Sequence, residues 1–205
     1  MTKPRIVVLA GGVSAEREVS LGSGQACAMA LSRSYPTRLC EVTEDRLPVD
    51  LDGAQEVVFS TLHGTFGEDG GMARLLEASG VHYAGCGIDC SALLMNKSRT
   101  KQVMVEHGLK GPREMLVAGD DLPSADDIIA KLGDQLVVKP NAEGSSVGLT
   151  LVDSKAALVT ALGGINSGQW LIEERIVGRE FSVGVLNGNA LGVVEICPKS
   201  GVYDY

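Results

Sequence analysis

Apolar positions along the chain follow two alternating rhythms. Short continuous runs of strand length, the first being "RIVVLAGG" at residues 5–12, alternate with segments whose apolar residues recur at helical spacing, the first being "REVSLGSGQACAMALSR". Gly22 and Gly24 interrupt that helical segment and read as tolerated breaks. "TRLCEV", "EVVFSTLHG" and "VHYAGCG" predict further strands, and "GGMARLLEASG" predicts a helix closed by Gly80. Strands alternating with helices imply a parallel sheet with helices on its faces, with ligands at the carboxyl ends of the strands. This α/β pattern defines a first domain over residues 1–95.

Beyond residue 90 the pattern changes. "SALLMNKSRTKQVMVEHG" reads as one helix ended by Gly108, followed by "PREMLV", an acidic loop, the helix "IIAKLG" and the strand "QLVVKP". The strand "LTLV" returns after a glycine and serine loop, so the two strands form a flap of hairpin type. The helix "SKAALVTALGG" and the strand "QWLIEERI" complete a second, α+β domain over residues 96–179. Around "NGN", two alternating strands give a strong hairpin signal within residues 180–205, the beginning of a third domain.

Composition narrows the function. A net charge of −8 disfavours nonspecific binding to nucleic acid, and the few aromatic residues give no stacking surface for bases. No stretch approaches the roughly 20 apolar residues of a membrane span, and the N-terminal run has a strand's length without a cleavage site. Five cysteines, without a CxxC pair, suggest reduced thiols and a cytoplasmic protein, and "CGIDC" with no second pair is a poor metal site. Phosphate-binding cations must therefore be local.

Lys139 ends the run "LVVK", Pro140 stops the strand, and "NAEGSSVG" follows. Gly144 and Gly148 permit positive φ and close approach of backbone N–H groups, while Ser145 and Ser146 add hydroxyl donors. A lysine before such a loop suits a nucleotide phosphate. Gly11 and Gly12 lead from a strand into a helix, a geometry that offers N–H groups to an anion, although the GxGxxG spacing is missing. Glu16 suits a cationic amine; on spacing alone it reads as a helix-start carboxylate, worth about 0.3–1 kcal/mol. His63 falls at a strand's carboxyl end, the active-site end of an open α/β sheet, although a lone histidine is more often a hydrogen-bonded structural group. Glu68 and Asp69 are solvated loop charges or a cap for the helix near Gly71. Lys97, Arg99 and Lys101 share one helix, and Glu173 and Glu180 are carboxylates able to bind adenine and ribose or to form ion pairs.

Taken together and in order, "VLAGGVSAEREVSLGSG", "LHGTFGEDG", "YAGCGIDCSALLMNKSRTK", "VVKPNAEGSSVG", "LIEERIVGREFSV" and "EICPKSGVYDY" resemble the D-alanine:D-alanine ligases of the ATP-grasp superfamily over essentially the whole chain. The resemblance implies an N-terminal Rossmann-like domain, a central ATP-grasp domain and the start of an incomplete C-terminal domain. It implies ATP-dependent joining of two D-alanines through an acyl phosphate for peptidoglycan precursor synthesis, with ATP and Mg2+ (or Mn2+) required. Lys97, Lys139, Ser145 and Ser146 would then bind ATP phosphates, Glu173 and Ile176 the adenine, and Glu180 the ribose. Glu16 would receive the first D-alanine's ammonium, linked to Ser145 across the closed site, and His63 would lie near its carboxylate. Asn96 stands where the family reads Asp, and "GMAR", with Ala73, lacks the family's Gln.

The metal ligands and the residues that latch the serine loop are expected beyond Tyr205. Of the residues after "EICP", only Asp204 is acidic. The chain by itself is accordingly expected to leave the hairpin incompletely covered, to have a mobile loop from Glu143 to Gly148, and to lack ligase activity. A cytoplasmic homodimer without nucleic-acid or membrane partners is the further expectation. A D-alanine:D-lactate or D-alanine:D-serine ligase and a nucleotide-binding fragment are the alternatives.

Overall fold

The computed structural model describes residues 3–198, which pack as two compact units. The first runs through Leu109 and is joined by Ala142–Gly144; the second comprises Lys110–Asn141 and the chain from Ser145 onward.

In the first unit, β1 (Arg5–Gly11), β2 (Thr37–Val42), β3 (Glu56–Ser60) and β4 (His82–Ala84) form a parallel sheet in the order β2-β1-β3-β4. Central β1 is apolar on both faces because both are covered, as parallel strands require. Val7 and Leu9 pack with Val42, Val58, Met72 and Leu76, the last two supplied by α2 (Gly71–Ser79). α1 (Arg17–Leu31) lies against β1 so closely that a Cβ on Gly24 would meet the Ala10 Cβ at 2.4 Å. Gly24 is therefore required rather than tolerated, whereas a Cβ on Gly22 would meet nothing within 4 Å. Gly24→Val is expected to lower stability by about 1–3 kcal/mol through overpacking. Denaturant unfolding checks this, with Gly22→Ala as the near-neutral control.

Glu56 ties the amino-terminal edge of this sheet together. Its carboxylate takes two bonds from the Arg38 guanidinium, at 3.1 and 3.2 Å, and one from the Asp52 N–H at 2.9 Å. The hydrogen bonds from Arg38 hold the carboxyl below its usual range against an opposing effect of burial. Because the folded value is depressed, the stabilisation is complete above the unfolded value near ~4.3 and disappears as pH falls through the folded one. Glu56→Gln is expected to be less stable than wild type at neutral pH, with the gap closing below about pH 4. Urea unfolding across pH measures the gap.

The single helix expected over residues 91–108 is two. α3 (Ile88–Met95) stops at Asn96, whose backbone is extended and whose Oδ1 accepts a 3.0 Å bond from the Arg99 N–H, capping α4 (Lys97–Glu106). Side-chain competition for backbone donors breaks what apolar spacing alone would continue. Asp and Asn are comparable caps, so either residue at position 96 would make this break. α4 ends as expected at Gly108, with φ +77° and a 2.9 Å bond from Leu109 N to Met104 O. In packing, α4 belongs with α3 in the first unit.

The second unit is built on an antiparallel sheet of β5 (Glu114–Ala118), β6 (Leu136–Pro140), β7 (Thr150–Val152) and β8 (Gln169–Glu174), ordered β5-β8-β6-β7. One face packs on α5 (Ala125–Leu132) and α6 (Lys155–Gly163) through Val117, Ile128, Leu136, Val138, Leu158 and Ile172. Alternation then places Lys139, Leu171 and Glu173 on the other face. The predicted hairpin is β9 (Glu180–Leu186) and β10 (Asn189–Ile196), turned by Asn187 and Gly188, both at positive φ. Every residue of β9 is exposed, including Phe181, Val183 and Val185. Among the described residues no helix is long and apolar enough to cross a membrane.

Candidate active site

At the carboxyl ends of β1 and β3, a polar network fixes the start of α1. The Ser20 hydroxyl accepts from Gly11 N at 2.9 Å and donates to Thr61 O at 2.7 Å, while Thr61 Oγ1 donates to Leu9 O at 2.8 Å. These groups are buried and bonded, which binds helix and strands in one register. The Ser14 hydroxyl donates to His63 O at 2.7 Å and accepts from Glu16 N at 3.2 Å. Ser14 thereby joins the segments that carry Glu16 and His63. Glu16 is 5% exposed, and its side chain does not cap α1. Its carboxylate instead lies over Gly64, where an added Cβ would stand 2.8 Å from Oε2.

His63 is half-buried, with Nε2 3.4 Å from Ser23 Oγ and Nδ1 3.7 Å from Glu68 Oε1. Beside it opens a cavity of about 430 Å³ walled by Met72, Leu76, Tyr83 and Leu94. Tyr83 donates to Glu77 at 2.7 Å, and that bond pushes its pKa up to about 12, so the phenol stays neutral. Asp69 organises the approach to α2 by accepting from Phe66 N and Gly71 N at 2.9 and 2.8 Å, and Glu68 accepts from Gly64 N at 2.8 Å. Both acids thus shape the loop.

The segment Ala142–Gly144 packs with the first unit. An added Cβ on Gly144 would stand 3.0 Å from Glu16 Oε2, so this glycine serves close approach rather than positive φ. Lys97, at the start of α4, donates its ammonium to the Glu143 carbonyl. Positive φ is taken up by Ser145 at 46°, Ser146 at 59° and Gly148 at 70°. Two serines in the left-handed region cost of order 1–3 kcal/mol each, a conformation that clusters at ligand clamps and switch segments.

In the second unit, Lys139 and Glu173 form an ion pair, with side chains 19% and 9% exposed. Lys139 is opposite Leu171 and Glu173 opposite Val137, so the pair is a diagonal across β6 and β8. Glu174, one residue on, bonds Arg113 N and Nε at 3.0 and 2.8 Å; those bonds hold its pKa below the usual range. Ile176 follows β8 in an exposed loop, and Glu180, also exposed, opens β9.

The family described as "D-ala D-ala ligase C-terminus" matches residues 119–205. A D-alanine--D-alanine ligase of Citrifermentans bemidjiense is 42% identical over 210 residues, covering 100% of this chain and 67% of that protein. The chain belongs to the D-alanine--D-alanine ligase family. A second such ligase, from Geobacter sulfurreducens, is 41% identical, with 98% of this chain and 64% of that one covered. The chain therefore spans about two thirds of the length of these ligases. Its fold matches the ligase of Bacillus anthracis complexed with ATP with a TM-score of 0.83, at 27% identity, covering 96% of this chain and 67% of the other. The D-alanyl-alanine synthetase A of Vibrio cholerae gives a TM-score of 0.84 at 26% identity, covering 100% and 70%.

Within this ligase fold, sequence reasoning missed Ser14, Ser23 and Gly64, and it read Gly144 for a ligand's approach rather than for that of Glu16. Ser14 stands two residues before Glu16 in "GGVSAE", but its bond to His63 is closed only by tertiary structure. No group of three or more His, Cys, Asp or Glu among the described residues could hold a metal ion, so the magnesium implied for a ligase finds no ligand set there. Asp204 lies outside the described residues.

Proposed function

We propose that the protein catalyses ATP-dependent ligation of two D-alanines to D-alanyl-D-alanine for peptidoglycan precursor synthesis, and that the alignment of the whole chain with D-alanine--D-alanine ligases carries this reading. The carboxylate of one D-alanine attacks the γ-phosphorus of ATP and ADP leaves. The amine of the second then attacks the acyl phosphate carbon, phosphate departs, and the amine's proton is released. Glu16, a buried carboxylate side chain, supports a role as receiver of the first substrate's ammonium, and His63 one beside that substrate's carboxylate, both pinned through Ser14. Lys97 and Lys139 place positive charge on the phosphates, where charge shifts during transfer.

Ser145 and Ser146 close over those phosphates by hydroxyl and N–H donation. Glu173 and Ile176 hold adenine and Glu180 the ribose; Glu173 meanwhile keeps the Lys139 ammonium aimed along its face of the sheet. Magnesium, when bound, would supply neutralisation of the phosphate charge. Residues 180–205 begin the C-terminal ATP-grasp domain, after the preATP-grasp domain over 1–95 and the central domain over 96–179. We place the protein in the cytoplasm as a homodimer joined through its N-terminal region.

The test is a coupled assay on the natural polypeptide with ATP, magnesium and D-alanine. D-alanine-dependent phosphate release with dipeptide formation is the expected result. Product formed only when D-lactate or D-serine is added would assign the second substrate otherwise, and ATP binding without turnover would overturn the ligase reading.

A further inference from the structure

The backbone on either side of the His63 side chain is fixed by neighbours. Its carbonyl accepts from Ser14 Oγ at 2.7 Å, and the next residue, Gly64, is tied twice to Glu68: Glu68 N donates to Gly64 O at 2.9 Å, and Gly64 N donates to Glu68 Oε2 at 2.8 Å. The other carboxylate oxygen of Glu68 stands 3.7 Å from His63 Nδ1. Across the ring, His63 Nε2 lies 3.4 Å from the hydroxyl of Ser23, on α1. The helix offers that hydroxyl from a fixed place. Ser20 locks the start of α1 to β1 and β3, and Gly24, next to Ser23, packs so tightly that an added Cβ would meet the Ala10 Cβ at 2.4 Å. A carboxylate oxygen only accepts, so Nδ1, which faces Glu68, carries the proton and Nε2 accepts from the Ser23 hydroxyl.

We propose that Ser23 is a positioning residue of His63, holding Nε2 of a ring whose Nδ1 carries the proton, and so fixing how the imidazole is presented to the first substrate. The inference rests on the reading that places His63 beside the substrate's carboxylate. If the ring gains a proton, it gains it at Nε2, and the Ser23 hydroxyl turns from donor to acceptor, so the ring keeps this partner in both charge states. A substrate carboxylate is then met by a ring whose direction does not change with its charge. The Ser23 contact is a neutral hydrogen bond at a half-buried serine, so it gives the ring direction with little stability.

The experiment labels the histidine rings of the full-length protein with 15N and reads the tautomer of neutral His63 from long-range proton-nitrogen spectra; a His63→Gln variant identifies its signals among those of the other histidines. Wild type is expected to hold the proton on Nδ1. In Ser23→Ala the proton stays on Nδ1, but the Nε2 signal moves to that of a nitrogen without a partner. Ser23→Thr, which keeps the hydroxyl, is expected to restore the wild-type Nε2 signal. Ser23→Ala should raise the D-alanine KM by roughly three- to tenfold, on the scale of one hydrogen bond, with kcat and the melting temperature near those of wild type, and Ser23→Thr should bring KM back toward wild type. A wild-type ring protonated on Nε2, an Nε2 signal that does not move in Ser23→Ala, or the expected spectra with an unchanged KM would overturn the inference. Wild-type protein that forms no dipeptide would instead overturn the ligase reading, which the spectra do not depend on.

Discussion

Lys139→Ala is expected to weaken ATP binding by roughly thirty- to several-thousand-fold, the equivalent of about 2–5 kcal/mol for truncating one partner of a desolvated charge pair. The same change strands the Glu173 carboxylate, whose side chain is 9% exposed, without the ammonium it now faces. Breaking a buried pair from one side costs about 3–5 kcal/mol of stability, so the variant should also unfold more readily. These two losses can be separated. In Lys139→Met combined with Glu173→Gln, neither buried charge remains, the side chains keep much of their volume, and most of the stability should return. ATP affinity should not return, because the phosphate has lost its cation and the adenine its carboxylate partner. Calorimetric ATP titration and denaturant unfolding of both variants decide the matter: affinity that recovers with stability would make Lys139 a structural residue of the sheet.

The diagonal between Lys139 and Glu173 shows where reading a sequence stops. Each residue was legible as a candidate, since one ends an apolar strand before a donor-rich loop and the other ends a second apolar strand. Their pairing depends on the register of β6 with β8, strands far apart in the chain, and no local pattern encodes it. Features set by a residue's own conformational limits were legible: Asn187 and Gly188 turn the hairpin, while Gly80 and Gly108 end α2 and α4. Features set by a neighbour across the fold were not. Gly24 matters because Ala10 lies opposite, and Gly144 because the Glu16 carboxylate does. The break at Asn96 falls between these cases: its capping chemistry is local, but apolar periodicity on both sides hides it. In the serine loop both glycines were read as free to take positive φ; Gly148 takes it, Gly144 does not, and Ser145 and Ser146 take it instead. Local strain of that kind is held by the surrounding structure, which composition does not record.

Glu16→Gln is expected to raise the D-alanine KM roughly ten- to hundredfold while leaving the ATP dissociation constant near that of wild type. The magnitude follows from replacing a charge-assisted hydrogen bond to an ammonium, worth about 1.5–3 kcal/mol, by a neutral one. The substitution keeps side-chain size in a place with little slack, since an added Cβ on Gly64 would stand 2.8 Å from Oε2 and one on Gly144 3.0 Å. Gly64→Ala tests the same carboxylate from the other side: it inserts the offending Cβ at a residue whose φ is +68° and so both strains the loop and displaces Glu16. It should raise the D-alanine KM as well, but with a loss of stability that Glu16→Gln does not share. Steady-state kinetics in each substrate, with ATP binding measured separately, distinguishes the roles. If Glu16→Gln weakened ATP binding and left D-alanine saturation unchanged, the buried carboxylate would belong to the nucleotide site, and the ammonium would need another partner.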